Sequence, residues 1–463
     1  MESKPSPHIL GTYPIGKLLL EYSIPAIIGM TVTSLYHVID SIFIGQGVGA
    51  YGITGIAVTL PLMNLVIAFC MLISIGGATI SSIYLGQKDI ERTTSVLHNV
   101  LILLITVGIG VSVITLPFLD SILMFFGASE MTLPYARDFM SIILYANPIA
   151  YVFVGLNNVM RSTGYPRKAM YSALLSVVVN LILAPIFIFS LDWGIKGAAW
   201  ATVASQLCGM IWVLAHFMNK DSFVRFKRGY FNLQNKIIRS ILAIGLAPFL
   251  LNVCACIMVI FLNMSLSSHG GDLAIGAYGI INRMLMLIVM IVAGLNQGMQ
   301  PILGYNYGAR QFSRVWKTLK YGIFAGSIIT TLGWVMFVFF PDQVVAIFSN
   351  DETLNSIASN GLTITGLFFP IVGAQIVITN FFQAIGKSKI SILLSLSRQM
   401  LCLVPGIIIL PYFYGTNGVW ISMPISDATA FTLSIIAFII LYNKIKKENR
   451  YSKESTIEVS ESR

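Results

Sequence analysis

The chain has 463 residues, of which 56% are hydrophobic and 10% are charged, and it carries a formal net charge of +10. Soluble globular domains average about a quarter charged residues, so this composition excludes an ordinary soluble enzyme or binding domain. The five cysteines all fall within apolar runs, which predicts packing residues rather than a disulfide framework or a metal site.

Apolar runs of about twenty residues recur along the whole chain, and this is the length that an α-helix needs to cross a bilayer core. Each run must be helical, because lipid offers no partner for exposed backbone polar groups. In chain order the twelve predicted spans are 17–45, 53–80, 95–117, 133–160, 165–190, 195–219, 236–264, 272–300, 313–340, 353–385, 388–412 and 416–443. The predicted fold class is an all-α polytopic membrane protein with twelve transmembrane helices.

The basic residues are distributed unevenly between the two sides of the predicted membrane. If the N-terminus lies inside, 25 of the 29 basic residues fall in the inner loops and tails or in the span ends that adjoin them. Only Lys196 falls in an outer loop, and Arg137, Arg283 and Arg398 fall within spans. This positive-inside pattern predicts that both termini are cytoplasmic. It also predicts membrane lipids as partners of the basic residues, and no nucleic acid.

The two halves of the chain are related by a nearly constant offset. Equivalent residues lie 221 to 223 positions apart in four pairs: Gly86 and Gly308, Gly164 and Gly386, Pro25 and Pro248, and Gly197 and Gly418. Because each half holds six spans, both halves enter the membrane from the same side, which is a parallel-repeat arrangement found in alternating-access transporters. We predict an N-lobe over 1–219, a cytoplasmic linker over 220–235, a C-lobe over 236–443 and a basic cytoplasmic tail over 444–463.

The first predicted span contains a carboxylate, Asp40, where a charge is costly unless it faces a cavity or a partner. Gly29, Thr33, Tyr36 and Asp40 are spaced by four, three and four residues and therefore share one helix face. This polar stripe predicts a face directed into the lobe, where Asp40 takes up and releases protons. The alternative is a structural hydrogen-bonding role for Asp40. Pro25 and Gly29, one turn apart, predict a point at which the helix bends.

Two further pairs of polar residues lie within the predicted spans. His37 lies three residues before Asp40, and two interpretations stay open: a coupled His–Asp proton site, or a polar residue that packs against a neighbouring helix. Arg398 and Asp427 lie on the last two spans, and we predict that they form a structural ion pair.

Five motifs along nearly the whole chain resemble the multidrug and toxic compound extrusion (MATE) family, in its bacterial MepA-like and DinF-like branch. They are SIPAIIGM at 23–30, DSIFIG at 40–45, RSTGYP at 161–166, AYGIINR at 277–283 and GMQPILGYNYGA at 298–309. The resemblance implies twelve helices in two pseudo-symmetric six-helix lobes. It also implies exchange of cytoplasmic drug cations for external protons or sodium.

The resemblance further implies roles for individual residues. These are ion coupling for Asp40, Asn180 and Thr202, substrate binding for Asn157, and a bend of the first helix at Pro25 and Gly29. From the residues themselves we add His37 as an ion-coupling candidate beside Asp40, and Tyr36 on the polar stripe as a substrate-binding candidate. Met30 and Met63 are further substrate-binding candidates, because flexible thioether side chains suit a pocket for varied apolar drugs. Ala184 stands where related chains carry an aspartate, and His37 stands where they more usually carry asparagine. Since sodium favours several hard oxygen ligands, the missing carboxylate favours protons. For Asn157, interhelical hydrogen bonding is an equal alternative.

We therefore predict a secondary active multidrug efflux antiporter that exports lipophilic or cationic drugs in exchange for protons. It would act as a monomer in the bacterial cytoplasmic membrane, without catalytic residues, a metal site or a cofactor. The alternatives are a sodium-coupled exporter and a lipid or polysaccharide flippase of the wider superfamily. A membrane enzyme is disfavoured because the sequence has no Gly-x-Ser-x-Gly, His-Glu-x-x-His or phosphate-loop motif. A channel is disfavoured because no obvious filter motif is present.

Overall fold

The computed structural model describes residues 9–220, 222–227, 229–348 and 351–461, and the side chains of residues 37, 38, 50, 272 and 445–461 lie outside the described part. Every regular element of this part is helical. The helices are α1 (Ile9–Thr12), α2 (Ile15–Val48), α3 (Ala50–Gly86), α4 (Ile90–Thr115), α5 (Leu119–Phe125), α6 (Leu133–Tyr145), α7 (Asn147–Ser162), α8 (Pro166–Pro185), α9 (Gly194–Met218), α10 (Asn235–Gly308), α11 (Phe312–Phe339), α12 (Pro341–Ala346), α13 (Glu352–Gly366), α14 (Phe369–Ala384), α15 (Ser388–Leu396), α16 (Val404–Ile409), α17 (Pro411–Tyr414) and α18 (Thr416–Glu461). A positive φ of 65° at Gly271 breaks α10 into two spans, Asn235–Gly271 and Leu273–Gly308.

Ten helical segments of the described chain are long and apolar enough to cross a bilayer. Two more candidate spans are bent pairs, α6 with α7 at 57° and α13 with α14 at 54°. The second helix of each pair begins with a proline, Pro148 or Pro370, in its first turn. Proline lacks a backbone N–H and is therefore suited to beginning a helix rather than continuing one. With each bent pair counted as one span, the described residues form the twelve spans that the sequence predicts.

Among the described residues, the buried core that the two lobes share lies toward one side of the molecule. The order of spans places the loops at 87–89, 163–165, 219–234, 309–311 and 385–387 on one side, together with α1, and we name this side the terminal face. One buried apolar cluster contains residues of both lobes, and its C-lobe members, such as Ile241, Leu303 and Leu319, lie in helix halves near the terminal face. Toward the opposite face the core divides into one cluster within residues 262–420 and another within residues 44–201. The buried cores of the two lobes are therefore separate toward the opposite face, as expected for a cleft that opens there.

Close backbone contacts between the lobes follow the 222-residue offset. A Cβ atom placed on Gly86 would lie 2.0 Å from the carbonyl oxygen of Tyr305, and one placed on Gly308 would lie 2.1 Å from that of Ile83. Ile83 and Tyr305 are themselves 222 positions apart, so the two contacts are equivalent in the two halves. We name this pair of contacts the glycine seam. It lies at the ends of α3 and α10, on the terminal face.

The segment between the lobes is held against α4. His98 bonds a backbone carbonyl one turn earlier through Nδ1 (2.8 Å), so its Nε2 accepts from the backbone N–H of Lys227 (3.2 Å). The Oδ1 of Asn99 accepts from the backbone N–H of Gln234 (2.9 Å). The described part of the predicted linker is therefore docked on the N-lobe.

The predicted pairing of Arg398 with Asp427 is confirmed. The Nε of Arg398 donates to Oδ1 of Asp427 at 2.7 Å, and Asp427 is only 7% exposed. The hydroxyl of Ser426 donates to the backbone carbonyl of Arg398 (2.7 Å). These bonds join α18 to the π-helical turn Ser397–Leu403 that follows α15.

An Arg398→Met variant is expected to unfold more easily than the wild type, by about 1–3 kcal/mol, because Asp427 stays buried and loses its charged donor. The measurement is the midpoint of thermal unfolding in detergent. Arg283→Met, which removes an exposed arginine from the same lobe, is the matched control. Equal midpoints for the two variants would contradict the structural role of the pair.

Candidate functional site

The helix α2 carries the polar stripe that the sequence predicts. It runs without interruption through Pro25 and Gly29, the two residues predicted as a hinge. The hydroxyl of Thr33 donates to the carbonyl of Gly29 (2.8 Å). In the described part of the protein, no atom outside the adjoining backbone of α2 lies within 4 Å of a Cβ placed on Gly29, so neighbouring helices leave room for bending there. The hinge role of the two residues stays a prediction.

Three helices bring Tyr36, Asn180 and Thr202 together. The Nδ2 of Asn180 donates to the hydroxyl of Tyr36 (3.1 Å) and to Oγ1 of Thr202 (3.3 Å), and the two hydroxyl oxygens are 3.3 Å apart. The hydroxyl of Thr202 also donates to the carbonyl of Ala198, one turn earlier on α9 (3.1 Å). Asn180 is 1% exposed. These bonds join α2, α8 and α9 in the half of the N-lobe toward the opposite face.

Asp40 lies one turn beyond Tyr36 on α2, and its side chain is partly exposed. Its Oδ1 is nevertheless buried, and among the residues that the structure describes no group donates to this oxygen. The Oδ1 of Asn180 is buried and lacks a donor in the same part of the chain. Buried acceptors without donors are costly, and binding of a proton or a cation would offset that cost. The side chain of His37 lies outside the described residues, so its pairing with Asp40 stays a prediction.

Ala184 lies in an apolar part of the N-lobe. It is fully buried at 0% exposure, in a cluster that also contains Ile44, Ile188 and Ile195. Close apolar packing therefore fills the position at which the family resemblance implies an aspartate. The polar groups that the structure brings together here, on Tyr36, Asn180 and Thr202, are all neutral.

Asn157, predicted to bind substrate near Asp40, lies in a different polar cluster. Its Nδ2 donates to the carbonyl of Ala169 (2.9 Å) and to the hydroxyl of Ser172 (2.6 Å). Its Oδ1 accepts from Nη2 of Arg161 (3.1 Å). The bonds to Ala169 and Ser172 join α7 to α8 and agree with the interhelical alternative for Asn157.

Arg161 follows the predicted span 133–160 directly, which predicts a loop charge on the inner side. In the structure it lies in the last turn of α7 and is buried, at 8% exposure. Its Nη1 donates to Oδ1 of Asn158 (3.2 Å), which also accepts from Nε2 of Gln297 in the C-lobe (3.4 Å). Asn157 and Asn158 precede Arg161 by four and three residues, and that spacing could have indicated the cluster.

Met30 and Met63, also predicted to bind substrate, lie on α2 and α3. Met30 is partly exposed. The Sδ of Met63 accepts from the hydroxyl of Thr59 at 3.6 Å, and its side chain packs against the cluster shared by both lobes and against the cluster within residues 44–201. Packing is a sufficient explanation for Met63, and the substrate role of both residues stays a prediction.

Comparison with known proteins decides the family. The MatE family model matches residues 25–186 and residues 248–408, one match in each half of the chain. The chain belongs to the MATE family. Two curated MATE-type relatives are similar to it over nearly their whole length. The multidrug export protein MepA of Staphylococcus haemolyticus is 28% identical over 445 residues, which cover 96% of this chain and 97% of the relative. MepA of Staphylococcus aureus strain MSSA476 is 26% identical over 429 residues, which cover 93% and 94%.

The same fold occurs in solved MATE structures. A multidrug resistance MATE transporter in its outward-facing conformation superposes with a TM-score of 0.90 at 24% identity, covering 96% of this chain and 99% of that one. The predicted fold, twelve helices in two six-helix lobes, is therefore confirmed, and the chain is a multi-pass membrane protein of the MepA-like branch.

Proposed function

We propose that this MATE protein is a secondary active antiporter that exports lipophilic cationic drugs in exchange for protons by alternating access. The observation that carries the proposal is the buried Oδ1 of Asp40, an intramembrane carboxylate oxygen without a donor among the described groups. Membrane-embedded acidic groups of this kind mark ion or proton pathways. The two staphylococcal relatives are multidrug export proteins, which supports drugs as the exported substrates.

Competition for one carboxylate gives antiport a simple physical basis. Ionised Asp40 attracts a cation, whereas protonated Asp40 is neutral and presents an O–H donor. A drug cation and a proton therefore exclude one another at this group. Protonation changes Asp40 from a hydrogen-bond acceptor into a donor. A different position of α2 against the group formed by Tyr36, Asn180 and Thr202 then satisfies the hydrogen bonds. Binding of the ion is thereby linked to the conformation of the protein.

Protons suit the site better than sodium because Ala184 stands where the family resemblance implies a second carboxylate, so Asp40 lacks that partner. Sodium remains the second candidate on one specific observation. Two buried oxygens, Oδ1 of Asp40 and Oδ1 of Asn180, lack donors among the described residues, and hard cations bind such oxygens.

The orientation follows from the basic residues. We take the terminal face as cytoplasmic, since 25 of the 29 basic residues lie in the segments assigned to it. The cleft then opens to the outside, as expected for the state that releases drug and takes up an external ion. Both lobes of the cleft come from one chain, so a monomer is sufficient, and a bacterial cytoplasmic membrane supplies the proton gradient.

Transport in proteoliposomes tests the coupling ion. With an imposed pH gradient and no sodium, vesicles with the protein are expected to transport ethidium, and an uncoupler is expected to stop it. Vesicles without protein are the control. Transport that appears only when sodium is added would overturn proton coupling, and transport with neither gradient would overturn antiport.

In the same vesicles, His37→Asn is expected to shift the pH dependence of the transport rate if His37 and Asp40 are coupled. An unchanged pH dependence of the transport rate would favour the packing role of His37.

A further inference from the structure

The first described residues of the chain cross from the N-lobe to the C-lobe. We name residues 9–13 the N-terminal strap. The Nη2 of Arg314, on α11, donates to the carbonyls of Leu10 (3.0 Å) and Tyr13 (2.7 Å). Its Nε donates to Oδ1 of Asn306 (2.9 Å), and Nδ2 of Asn306 donates to the carbonyl of Leu10 (3.0 Å). Leu10 and Asn306 are both fully buried at 0% exposure.

The N-terminal strap lies directly on the helix that forms the glycine seam. A Cβ placed on Gly11 would lie 2.9 Å from the ring of Tyr305, whose carbonyl oxygen faces Gly86 in that seam. Carbonyls in the last turn of a helix have no intrahelical partner, and a guanidinium satisfies them through charge-assisted bonds that are about twice as strong as neutral ones. Because the strap continues into α2 of the N-lobe, each bond to Arg314 or Asn306 joins the two lobes.

The segment that leads into the C-lobe contacts the N-lobe in the corresponding way. Asn99, on α4 of the N-lobe, accepts from the N–H of Gln234 (2.9 Å), and its Nδ2 donates to the carbonyl of Asn232 (3.4 Å). Leu10 and Asn232 are 222 positions apart, so the two lead-in segments are equivalent in the repeat. The two contacts differ in the groups that form them. The charged Arg314 donates to the N-terminal strap, whereas only neutral groups join Asn99 to the segment that leads into the C-lobe.

We propose that the N-terminal strap is a latch that holds the lobes together at the terminal face and sets the resting balance between the two conformations. Opening of that face moves α2 away from α11. This motion must break the bonds from Arg314 to Leu10 and Tyr13, or bend the chain between Tyr13 and α2. The latch goes beyond the proposed function, because it acts on the conformational balance whichever ion drives export.

Distances between spin labels in lipid nanodiscs test the latch. In protein without its native cysteines, one label pair at Lys88 and Lys389 reports on the terminal face, and a second pair at Glu130 and Glu352 reports on the opposite face. All four residues are exposed. Arg314→Met is expected to increase the population with a long terminal-face distance at least about fivefold, with a matching decrease in the opposite-face distance.

Three comparisons separate the latch from a general loss of charge or stability. Lys320→Met removes an exposed positive charge six residues farther along α11 and is expected to leave both distances unchanged. Removal of residues 2–13 is expected to reproduce the effect of Arg314→Met, and it tests the same bonds if that variant does not fold. The combined variant is expected to show no further shift. Unchanged distances in the single variants, or additive shifts in the combined one, would overturn the latch. The readout is a distance, so this result and the transport result can fail independently.

Discussion

Replacement of Asp40 by asparagine is expected to abolish ion-coupled drug export while the fold is kept. Asparagine has the shape of the protonated acid, but it can neither release a proton nor attract a cation by charge. We expect the initial rate of export to fall at least about tenfold, which corresponds to about 1.4 kcal/mol. Proton release on addition of drug should disappear, because drug and proton no longer compete at one group. Both quantities are measured in proteoliposomes with a fluorescent lipophilic cation and a pH indicator.

Glu21→Gln provides the matched control for this experiment. Glu21 lies on the same helix, its side chain is 39% exposed, and it is 3.4 Å from Arg167. Exposed ion pairs of this kind contribute little to stability, so the variant is expected to behave like the wild type. Wild-type proton release from Asp40→Asn would show that another group couples the ion. Equal losses in both variants would attribute the effect to a disturbance of α2 instead.

The spans could be predicted from the sequence because bilayer thickness sets the length of each apolar run. The bends within two of them could not be predicted in that way. The predicted spans 133–160 and 353–385 are apolar across the points where the structure bends by 57° and 54°. Hydropathy records composition, whereas the bend depends on the missing N–H of Pro148 and Pro370. These prolines are 222 positions apart, so comparison of the two repeats could have indicated both bends.

The candidate site could be predicted only in part, because periodicity describes one helix at a time. The spacing along α2 placed Tyr36 and Asp40 on one face. The partners of Tyr36 lie 144 and 166 positions away, at Asn180 and Thr202, and only the family resemblance indicated them. From the sequence, Arg314 is only one of many basic residues at the inner ends of the predicted spans, because its contacts with the strap span about 300 positions of sequence and leave no local pattern.

Gly86→Ala and Gly308→Ala are each expected to open the terminal face and slow drug export at least about fivefold. Each new methyl group would lie 2.0–2.1 Å from a backbone carbonyl oxygen of the other lobe. Rotation of a side chain cannot relieve this contact, because the facing atom is a backbone carbonyl oxygen. The helices α3 and α10 must therefore move apart. Overpacking of this kind costs about 1–3 kcal/mol, and the closed conformation loses population accordingly. The Lys88–Lys389 label distance and the export rate measure the two effects.

Gly110→Ala is the control for both variants, because no described atom outside the adjoining backbone of α4 lies within 4 Å of a Cβ at that position. It is expected to leave the label distance and the export rate at their wild-type values. The two seam variants should have effects of similar size, since a 222-residue offset relates both the glycines and the carbonyls that they face. If Gly86→Ala has a large effect and Gly308→Ala a negligible one, the two contacts of the glycine seam do not contribute equally to closing the terminal face. In that case the N-terminal strap, which lies on Tyr305 near only one of the two contacts, would be the first candidate for the source of the asymmetry.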